Sequence, residues 1–224
     1  MANYEKPDHW TVKAKSEGYP ARSVYKLKEA DEKFSLVKAG QAVRILDLGA
    51  APGSWSLYVL RKLALRFQNG GAFLAAADLA PLSTEYGKGL FESEHFFFVQ
   101  GDITNPGVRS ALLDQGPYDL VMSDAAPATT GNRSVDVMRS RELAETAADY
   151  ALSSLRPGGN FIVKIFQGSD AHLLLKKIRE CFSAGKSFKP AACRSESFET
   201  YYIGLGKKRE DRFTNANTTR AQGL

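Results

Sequence analysis

The stretch of sequence that decides the fold is Ile45-Leu46-Asp47-Leu48-Gly49-Ala50-Ala51-Pro52-Gly53-Ser54-Trp55-Ser56. It begins as an apolar run typical of a buried strand and continues into small residues and a proline, which favour a tight turn. Gly49 and Gly53 are four residues apart, so the turn differs from the dinucleotide pattern G-x-G-x-x-G. Small residues let a ligand approach the backbone, and the helix that follows offers free N–H groups. The stretch therefore predicts the first strand-turn-helix unit of an α/β fold, with a ligand at the turn.

Similar apolar runs follow along the chain and alternate with helical segments. Each run ends near Gly, Asp or Pro and is typical of a buried parallel strand. The alternation predicts a doubly wound α/β fold, whose mostly parallel sheet binds its ligand beyond the carboxyl ends of the strands. The predicted strands are 43–48, 73–78, 96–100, 120–124 and 161–166, and the predicted helices are 55–67, 84–91, 108–113, 135–155 and 170–182.

Two further strand candidates, 187–194 and 200–206, bring the predicted sheet to seven strands. No crossover helix fits between them, so they are expected to run antiparallel to each other. An amphipathic pattern over 21–34 predicts a helix that packs on the sheet as part of a basic N-terminal extension. We therefore expect a single domain over 1–206, followed by a flexible basic tail over 207–224 that has almost no apolar residues.

Composition excludes several classes of protein. Of the 224 residues, 43% are hydrophobic and 25% are charged, which excludes disordered, collagenous and fibrous chains. No apolar run approaches the ~18 residues of a membrane span, and the polar N-terminus lacks the apolar core of a signal peptide. We expect a cytoplasmic protein. Its two cysteines, Cys181 and Cys193, form neither a metal-binding cluster nor a disulfide framework, so no metal is expected.

The charge of +5 is distributed unevenly along the chain. Residues 1–44 carry a net charge of +3, residues 45–175 carry −4, and residues 176–224 carry +6. An acidic middle between two basic ends suggests that the ends face a polyanion, most commonly a nucleic acid. Scattered, solvated lysines would produce the same pattern.

Three strand ends together predict a site for adenosine. The glycine turn leaves no room for a pyrophosphate, so a nucleoside that bears a carboxylate fits better. Asp78 ends the second strand, where its carboxylate can accept hydrogen bonds from both ribose hydroxyls, and Asp102 follows the third strand, near the exocyclic amine of a purine. Taken singly, each feature could be a turn or a helix cap, and Trp55 a packing residue that contacts a ligand only through its backbone. Their conjunction indicates S-adenosylmethionine.

Four ionisable residues predict a catalytic site: Lys26, Asp124, Lys164 and Glu199. Asp124 and Lys164 lie at the ends of the fourth and fifth predicted strands, within reach of the ligand crevice. Lys164 stands in the apolar run Ile162-Val163-Lys164-Ile165-Phe166, where burying a cation is costly, so it can serve as a general base. A lysine that extends from the strand end to water is the structural alternative.

These residues resemble the FtsJ-type ribosomal RNA ribose 2′-O-methyltransferases, and most closely the bacterial large-subunit members. The resemblance runs from about residue 3 to residue 206, and the Lys-Asp-Lys-Glu order is specific to ribose 2′-O-methyltransferases. It implies that Lys26, Asp124, Lys164 and Glu199 are catalytic, with Lys164 as the base. Two departures, Ser54 for a glycine and Cys193 for a serine, bear on cofactor affinity. The motifs that carry the resemblance are 13–19, 25–27, 47–56, Asp78, 101–102, 123–127, 163–164 and 194–201, and the implied cofactor residues are Gly53, Trp55, Asp78, Asp102 and Asp124.

The resemblance implies an RNA partner, most simply a uridine of 23S ribosomal RNA in the large subunit, and neither DNA nor a membrane. A monomer is expected. Relatives that methylate transfer RNA or messenger caps share the four catalytic residues, and a non-catalytic RNA-binding protein with a residual cofactor pocket would share the fold. From the charge distribution, the residues expected to contact RNA phosphates are Lys13, Lys15, Arg22, Lys28 and Arg194.

Overall fold

One mixed sheet forms the centre of the protein. The computed structural model describes residues 8–38, 43–194 and 197–209, and within these ranges the sheet has seven strands in the order β3-β2-β1-β4-β5-β7-β6. All neighbouring strands run parallel except β7, which is antiparallel to both of its neighbours, β5 and β6. The strands are β1 (Val43–Leu48), β2 (Ala72–Asp78), β3 (Phe96–Gln100), β4 (Tyr118–Ser123), β5 (Leu155–Phe166), β6 (Phe182–Phe188) and β7 (Glu199–Lys207).

Helices cover both faces of this sheet. Several begin at the residues that helices prefer: the Asp8 and Asn132 side chains cap the helices after them, and Asn105 caps a helix whose first residue is Pro106. The helices are α1 (His9–Ser16), α2 (Val24–Phe34), α3 (Ser54–Lys62), α4 (Ala64–Gln68), α5 (Pro106–Leu113), α6 (Arg133–Ser154) and α7 (Ala171–Cys181). No helix in the described ranges is long and apolar enough to cross a membrane.

The strand order places the ligand crevice between β1 and β4. From β1 the chain adds β2 and β3 on one side, then crosses back to add β4 and β5 on the other. Such a reversal opens a crevice at the carboxyl ends of the two central strands. Leu48 at the end of β1 pairs with Ser123 at the end of β4, so the turn at Gly49 and the residue Asp124 leave the sheet side by side.

The architecture confirms the predicted fold, with its alternating strands and helices, parallel strands and antiparallel final strand. The helix predicted over 84–91 is wrong: the segment consists of turns and bends, with positive φ at Gly87 and Gly89, which disfavours a helix. The helix predicted over 55–67 is interrupted at Leu63.

The strand predicted over 187–194 runs antiparallel to β7 as expected, but its bounds are wrong: β6 ends at Phe188, and a turn follows in which the Cys193 N–H bonds to the Pro190 carbonyl. Further towards the C-terminus, the predicted tail begins too early, since Lys207 is the last residue of β7. The rest of that tail from residue 210 lies outside the described residues.

Candidate active site

Lys164 and Asp124 form an ion pair at the end of the crevice. Asp124 directly follows β4, and Lys164 lies on the neighbouring β5, one residue beyond the Ser123–Val163 pair. The Lys164 Nζ lies 3.0 Å from Oδ1 of Asp124 and also donates to the Asp124 backbone carbonyl. Only 8% of the lysine side chain and 15% of the aspartate side chain are exposed. Lys164 therefore stays inside the protein and does not extend from the strand end to water.

Lys26 and Glu199 form a second ion pair beside the first. Lys26 comes from α2 and Glu199 from the first position of β7, and their Nζ and Oε1 atoms are 2.7 Å apart. Both side chains are largely buried. Burial lowers the pKa of Lys26, but the negative charges of Asp124 and Glu199 raise it by a larger amount. The net shift of the pKa is upward, so Lys26 is a cation. The four residues that the sequence singled out thus meet in one cluster.

Tyr201 is a fifth member of the cluster that sequence analysis missed. It is fully buried, and its hydroxyl donates to Oδ1 of Asp124 at 2.7 Å. Burial and the nearby carboxylates raise the pKa of Tyr201 well above its usual value, so the phenol keeps its proton. The available signal was strand alternation: residues two apart on β7, Glu199 and Tyr201, share one face, and Tyr201 pairs with Lys164 across the sheet.

Asp124 is ionised although it is buried. Burial raises the pKa of this carboxyl group, but the charges of Lys164 and Lys26 and the hydrogen bond from Tyr201 outweigh it and hold the pKa below its ordinary value. Asp124 is therefore a carboxylate that accepts bonds from two donors. Such a group can orient a lysine without competing for its proton.

Cys193 lies beside the second ion pair. Its half-buried thiol is within hydrogen-bonding reach of Glu199, and burial together with that carboxylate raises the thiol pKa to about 12. The thiol is neutral and therefore a weak nucleophile. This departure from the FtsJ-type pattern thus bears on the Lys26–Glu199 pair, whereas the sequence had associated it with cofactor affinity.

The two glycines of the turn are required by packing as well as by conformation. Both have positive φ, 76° at Gly49 and 108° at Gly53. A Cβ on Gly49 would lie 2.5 Å from the backbone of Ala125, and one on Gly53 would lie 2.8 Å from the Phe91 ring. Gly49 thus lets the ends of β1 and β4 approach each other, and Gly53 lets the segment before β3 close over the turn.

Ser54 and Trp55 connect this turn to α2. The buried Ser54 hydroxyl accepts from the Ala21 N–H at 2.9 Å and lies 3.1 Å from the Ala21 carbonyl, to which it donates. Trp55 Nε1 donates to the carbonyl of Ser23 at 2.8 Å. These bonds hold the segment that leads directly into α2. They therefore position Lys26.

The acidic residues at the strand ends keep free acceptor sites. Oδ2 of Asp78 accepts from the Ala51 N–H at 2.9 Å, and Oδ1 accepts from the Ala80 N–H at 2.8 Å. Asp102 is exposed two residues beyond β3, and its bonds from Thr104 lower its pKa. A carboxylate has about four acceptor positions, so both residues can still bind a ligand's hydroxyl or amine.

Asp47 contributes a buried carboxyl group below the turn. Oδ2 accepts from the Ser56 hydroxyl at 2.7 Å, and Oδ1 has no hydrogen-bond partner among the residues that the structure describes. Burial raises the pKa of Asp47 to about 7, and the charges of Asp124 and Asp78 add to the shift. Because Asp47 is fully buried, it does not contact a ligand at the turn directly.

The residues predicted to contact RNA differ in their surroundings. Lys13 lies 5.0 Å from the Tyr25 ring centroid and 3.9 Å from Glu17, with 41% of its side chain exposed. Arg22 is largely buried, pairs with Asp8 and donates to the Ala192 carbonyl. The other three are Lys15, which is exposed, Lys28, which is half-buried, and Arg194, whose Nε is 3.8 Å from Asp8.

Solved structures share this fold. A Plasmodium falciparum protein described as a ribosomal RNA methyltransferase superposes with a TM-score of 0.68 at 26% identity, covering 84% of this chain and 98% of that one. The T. thermophilus 16S rRNA N2 G1207 methyltransferase, solved with AdoMet and guanosine, has a TM-score of 0.52 at 19% identity, covering 93% of this chain and 45% of that one. The second likeness concerns the fold alone.

Curated relatives match nearly end to end. A Treponema denticola protein is 49% identical over 205 residues, which are 92% of this chain and 97% of that protein. A Borreliella afzelii protein is 43% identical over 197 residues, 88% of this chain and 96% of that protein. Both are named ribosomal RNA large subunit methyltransferase E. The sequence profile of the FtsJ-like methyltransferases matches residues 19–207, which contain both ion pairs and the glycine turn, and the chain belongs to this family.

Proposed function

We propose that the protein transfers a methyl group from S-adenosylmethionine to the ribose 2′-hydroxyl of a uridine in 23S ribosomal RNA of the large subunit. The observation that carries this proposal is the meeting of Lys26, Asp124, Lys164 and Glu199 in two adjacent ion pairs at the edge of the ligand crevice. Family membership and the names of the relatives support both the reaction class and the substrate.

The cofactor residues lie at the carboxyl ends of β1 to β4. Asp78 would accept hydrogen bonds from the ribose hydroxyls, Asp102 would accept one from the adenine amine, and Gly53 and Trp55 would offer backbone at the turn. The Trp55 ring is buried against Tyr201, so only its backbone is available. Asp124 would border the reactive end. When bound, S-adenosylmethionine supplies a methyl group activated by its sulfonium.

Lys164 is the base in this proposal. In its unprotonated form, the Lys164 amine would accept the proton of the ribose 2′-hydroxyl, and the cofactor would supply the methyl group that replaces this proton on the oxygen. Asp124, held by Tyr201, fixes the direction of the Lys164 amine. The Lys26 cation, held by Glu199, would bind the phosphate next to the target ribose. The chain thus contributes orientation and proton transfer, the two things that a poor nucleophile requires.

RNA specificity follows from the reaction, because DNA has no 2′-hydroxyl. The basic ends of the chain, including Lys13, Lys15, Lys28 and Arg194, would contact phosphates around the target. We infer a monomeric enzyme, since a single chain supplies all four catalytic side chains.

Two variants of Lys164 test the proposed role. Lys164→Ala should abolish methyl transfer to large-subunit RNA and leave cofactor affinity close to that of the wild type. Lys164→Arg should fail as well, because arginine keeps the charge but does not release its proton in a protein. Lys176→Ala, which removes an exposed lysine on α7, is the matched control. Substantial activity in Lys164→Arg, with normal RNA binding, would show that Lys164 only orients the substrate.

Mapping 2′-O-methyl marks tests the substrate. RNA from cells with and without the gene should differ at a position in 23S ribosomal RNA, and restoring the wild-type gene but not Lys164→Ala should restore the mark. A mark lost from transfer RNA instead would reassign the substrate. If both RNA samples carry the same marks and the protein still binds RNA, the result would favour the non-catalytic RNA-binding protein.

A further inference from the structure

A second cavity lies beside the catalytic cluster and outside the cofactor crevice. Its volume is about 440 Å³, within the range of small-ligand sites. It lies between the first nine residues of α6, the end of β5 and the loop that leads into α7. Its walls include the cations Arg133 and Arg141 and the apolar side chains Met138 and Phe166.

This cavity begins next to the catalytic residues. Phe166 follows Lys164 by two residues on β5, a distance of about 7 Å along a strand. Phe166 also pairs with Glu199 across the sheet, and its ring lies 4.7 Å from that of Phe198, the residue before Glu199. When the target ribose of an RNA strand lies at Lys164, the next nucleotide of that strand therefore lies close to the cavity.

Arg133 occupies a position that the stability of α6 does not explain. It is the first residue of that helix, where the helix dipole disfavours a cation. Within the described ranges it makes no ion pair, and its guanidinium lies 5.2 Å from the centroid of the Phe198 ring. By contrast, Arg141 is neutralised by Asp170 at 3.0 Å and Glu145 at 3.5 Å. Arg133 is thus the cation of this cavity that remains available to an anion.

We propose that the cavity binds the nucleotide adjacent to the methylated one, with Arg133 on its phosphate and Phe166 and Met138 against its base. A guanidinium held over an aromatic ring is suited to both parts of a nucleotide, because it binds phosphate oxygens and stacks on planar bases. Met138, 49% exposed, supplies an apolar surface that a base can cover. This inference rests on the proposed function and adds a substrate contact to it.

The test compares two arginines on the same helix. Arg133→Ala removes the proposed contact, and Arg139→Ala removes an exposed charge that does not line the cavity. RNA affinity is measured against salt with unmodified large-subunit RNA transcribed in vitro. Arg133→Ala should weaken binding about tenfold and reduce the slope of log affinity against log salt by about 0.7 to 0.9, the value for one neutralised phosphate. Arg139→Ala should leave both quantities close to the wild-type level.

Kinetics and stability exclude a merely structural role. Arg133→Ala should raise KM for RNA and leave both kcat and affinity for S-adenosylmethionine unchanged. Its melting temperature should be equal to or above that of the wild type, because an unfavourable charge has left the helix N-terminus. Equal effects of the two substitutions on RNA affinity, or a lower melting temperature for Arg133→Ala without an affinity change, would overturn the proposal.

Two outcomes separate this proposal from its alternatives. If Arg133→Ala weakens binding to isolated large subunits but not to the free RNA, the cavity holds a ribosomal protein and the proposal is overturned. If the wild type methylates no RNA, the proposed function fails, while the comparison of RNA binding by the two variants still decides whether the cavity holds a nucleotide.

Discussion

The Tyr201 hydroxyl donates a hydrogen bond of 2.7 Å to Oδ1 of Asp124, the same oxygen that lies 3.0 Å from Nζ of Lys164. One carboxylate oxygen therefore serves two donors from two neighbouring strands. Because Tyr201 is fully buried, it holds that carboxylate against rotation. The direction in which Lys164 points thus depends on a hydroxyl group from the neighbouring strand.

Tyr201→Phe removes this bond while keeping the ring. A hydrogen bond to a charged group contributes about 1.5–3 kcal/mol, so kcat should fall about tenfold to a hundredfold. KM for S-adenosylmethionine should not change. Tyr202→Phe, which removes a hydroxyl from the next residue of β7 and outside the cluster, is the control. A normal kcat in Tyr201→Phe would assign Tyr201 to packing alone.

Asp47 predicts a pH-dependent loss of stability. Its pKa in the folded protein is about 7, above the 3.8 expected when unfolded, so the folded state retains a proton that the unfolded state releases. Stability from this group is complete below about pH 4 and is lost as the pH rises through 7. Asp47→Asn removes this dependence, and its stability relative to wild type should improve by a few kcal/mol between pH 4 and pH 8. Urea unfolding of both proteins at pH 4 and pH 8 measures their free energies of unfolding. If the variant and the wild type differ by the same amount at both pH values, the prediction is wrong.

Ser54 predicts a link between the glycine turn and catalysis. Ser54→Ala loses two hydrogen bonds to the Ala21 backbone, which should cost about 1–3 kcal/mol of stability. Since that segment leads into α2, kcat should fall as well while affinity for S-adenosylmethionine is retained. Ser110→Ala, an exposed serine on α5, is the control. Lost cofactor affinity with normal kcat would place the hydroxyl at the cofactor instead.

Substitutions of Asp78 and of Asp102 should weaken cofactor binding alike but should affect the stability of the protein differently. Asp78→Asn and Asp102→Asn should each weaken cofactor binding about tenfold, the effect expected when one charge-assisted hydrogen bond is removed. Asp78→Asn should lower the melting temperature more than Asp102→Asn, because Asp78 holds the backbone at both Ala51 and Ala80, whereas the Asp102 side chain bonds only to the nearby Thr104 among the described residues. Calorimetry should find one cofactor site per chain. Full affinity in both variants would refute the assignment.

The lysines of α1 should contribute to the salt dependence of RNA binding. Replacing Lys13 and Lys15 with alanine should reduce the slope of log affinity against log salt by about 0.7–0.9 for each phosphate that is no longer neutralised. Arg22 is a poor choice for this test because its guanidinium ties α1 to the loop before β7, so its loss would disturb the fold. An unchanged slope would mean that the two lysines are merely solvated.

The sequence predicted the parts of the site that lie at strand ends, because a charged residue after an apolar run is visible without knowing the tertiary structure. Tyr201 escaped because a tyrosine inside an apolar strand is typical of a core, and only the register of β7 against β5 places its hydroxyl on Asp124. The boundaries of β6 were missed for a related reason. Phe182 follows α7 without a break, so the apolar pattern does not show where the helix ends.

The position of β7 in the sheet determines which part of the site forms last. β7 lies between β5 and β6 although it follows both in the chain. While the ribosome is still synthesising residues 199–207, a nascent chain has an open edge at β5 and lacks both Glu199 and Tyr201. Lys26 then has no partner from β7, and Asp124 has only one of its two donors. If the proposed roles of Glu199 and Tyr201 hold, a polypeptide still being synthesised is therefore inactive, and activity begins only when the last strand inserts.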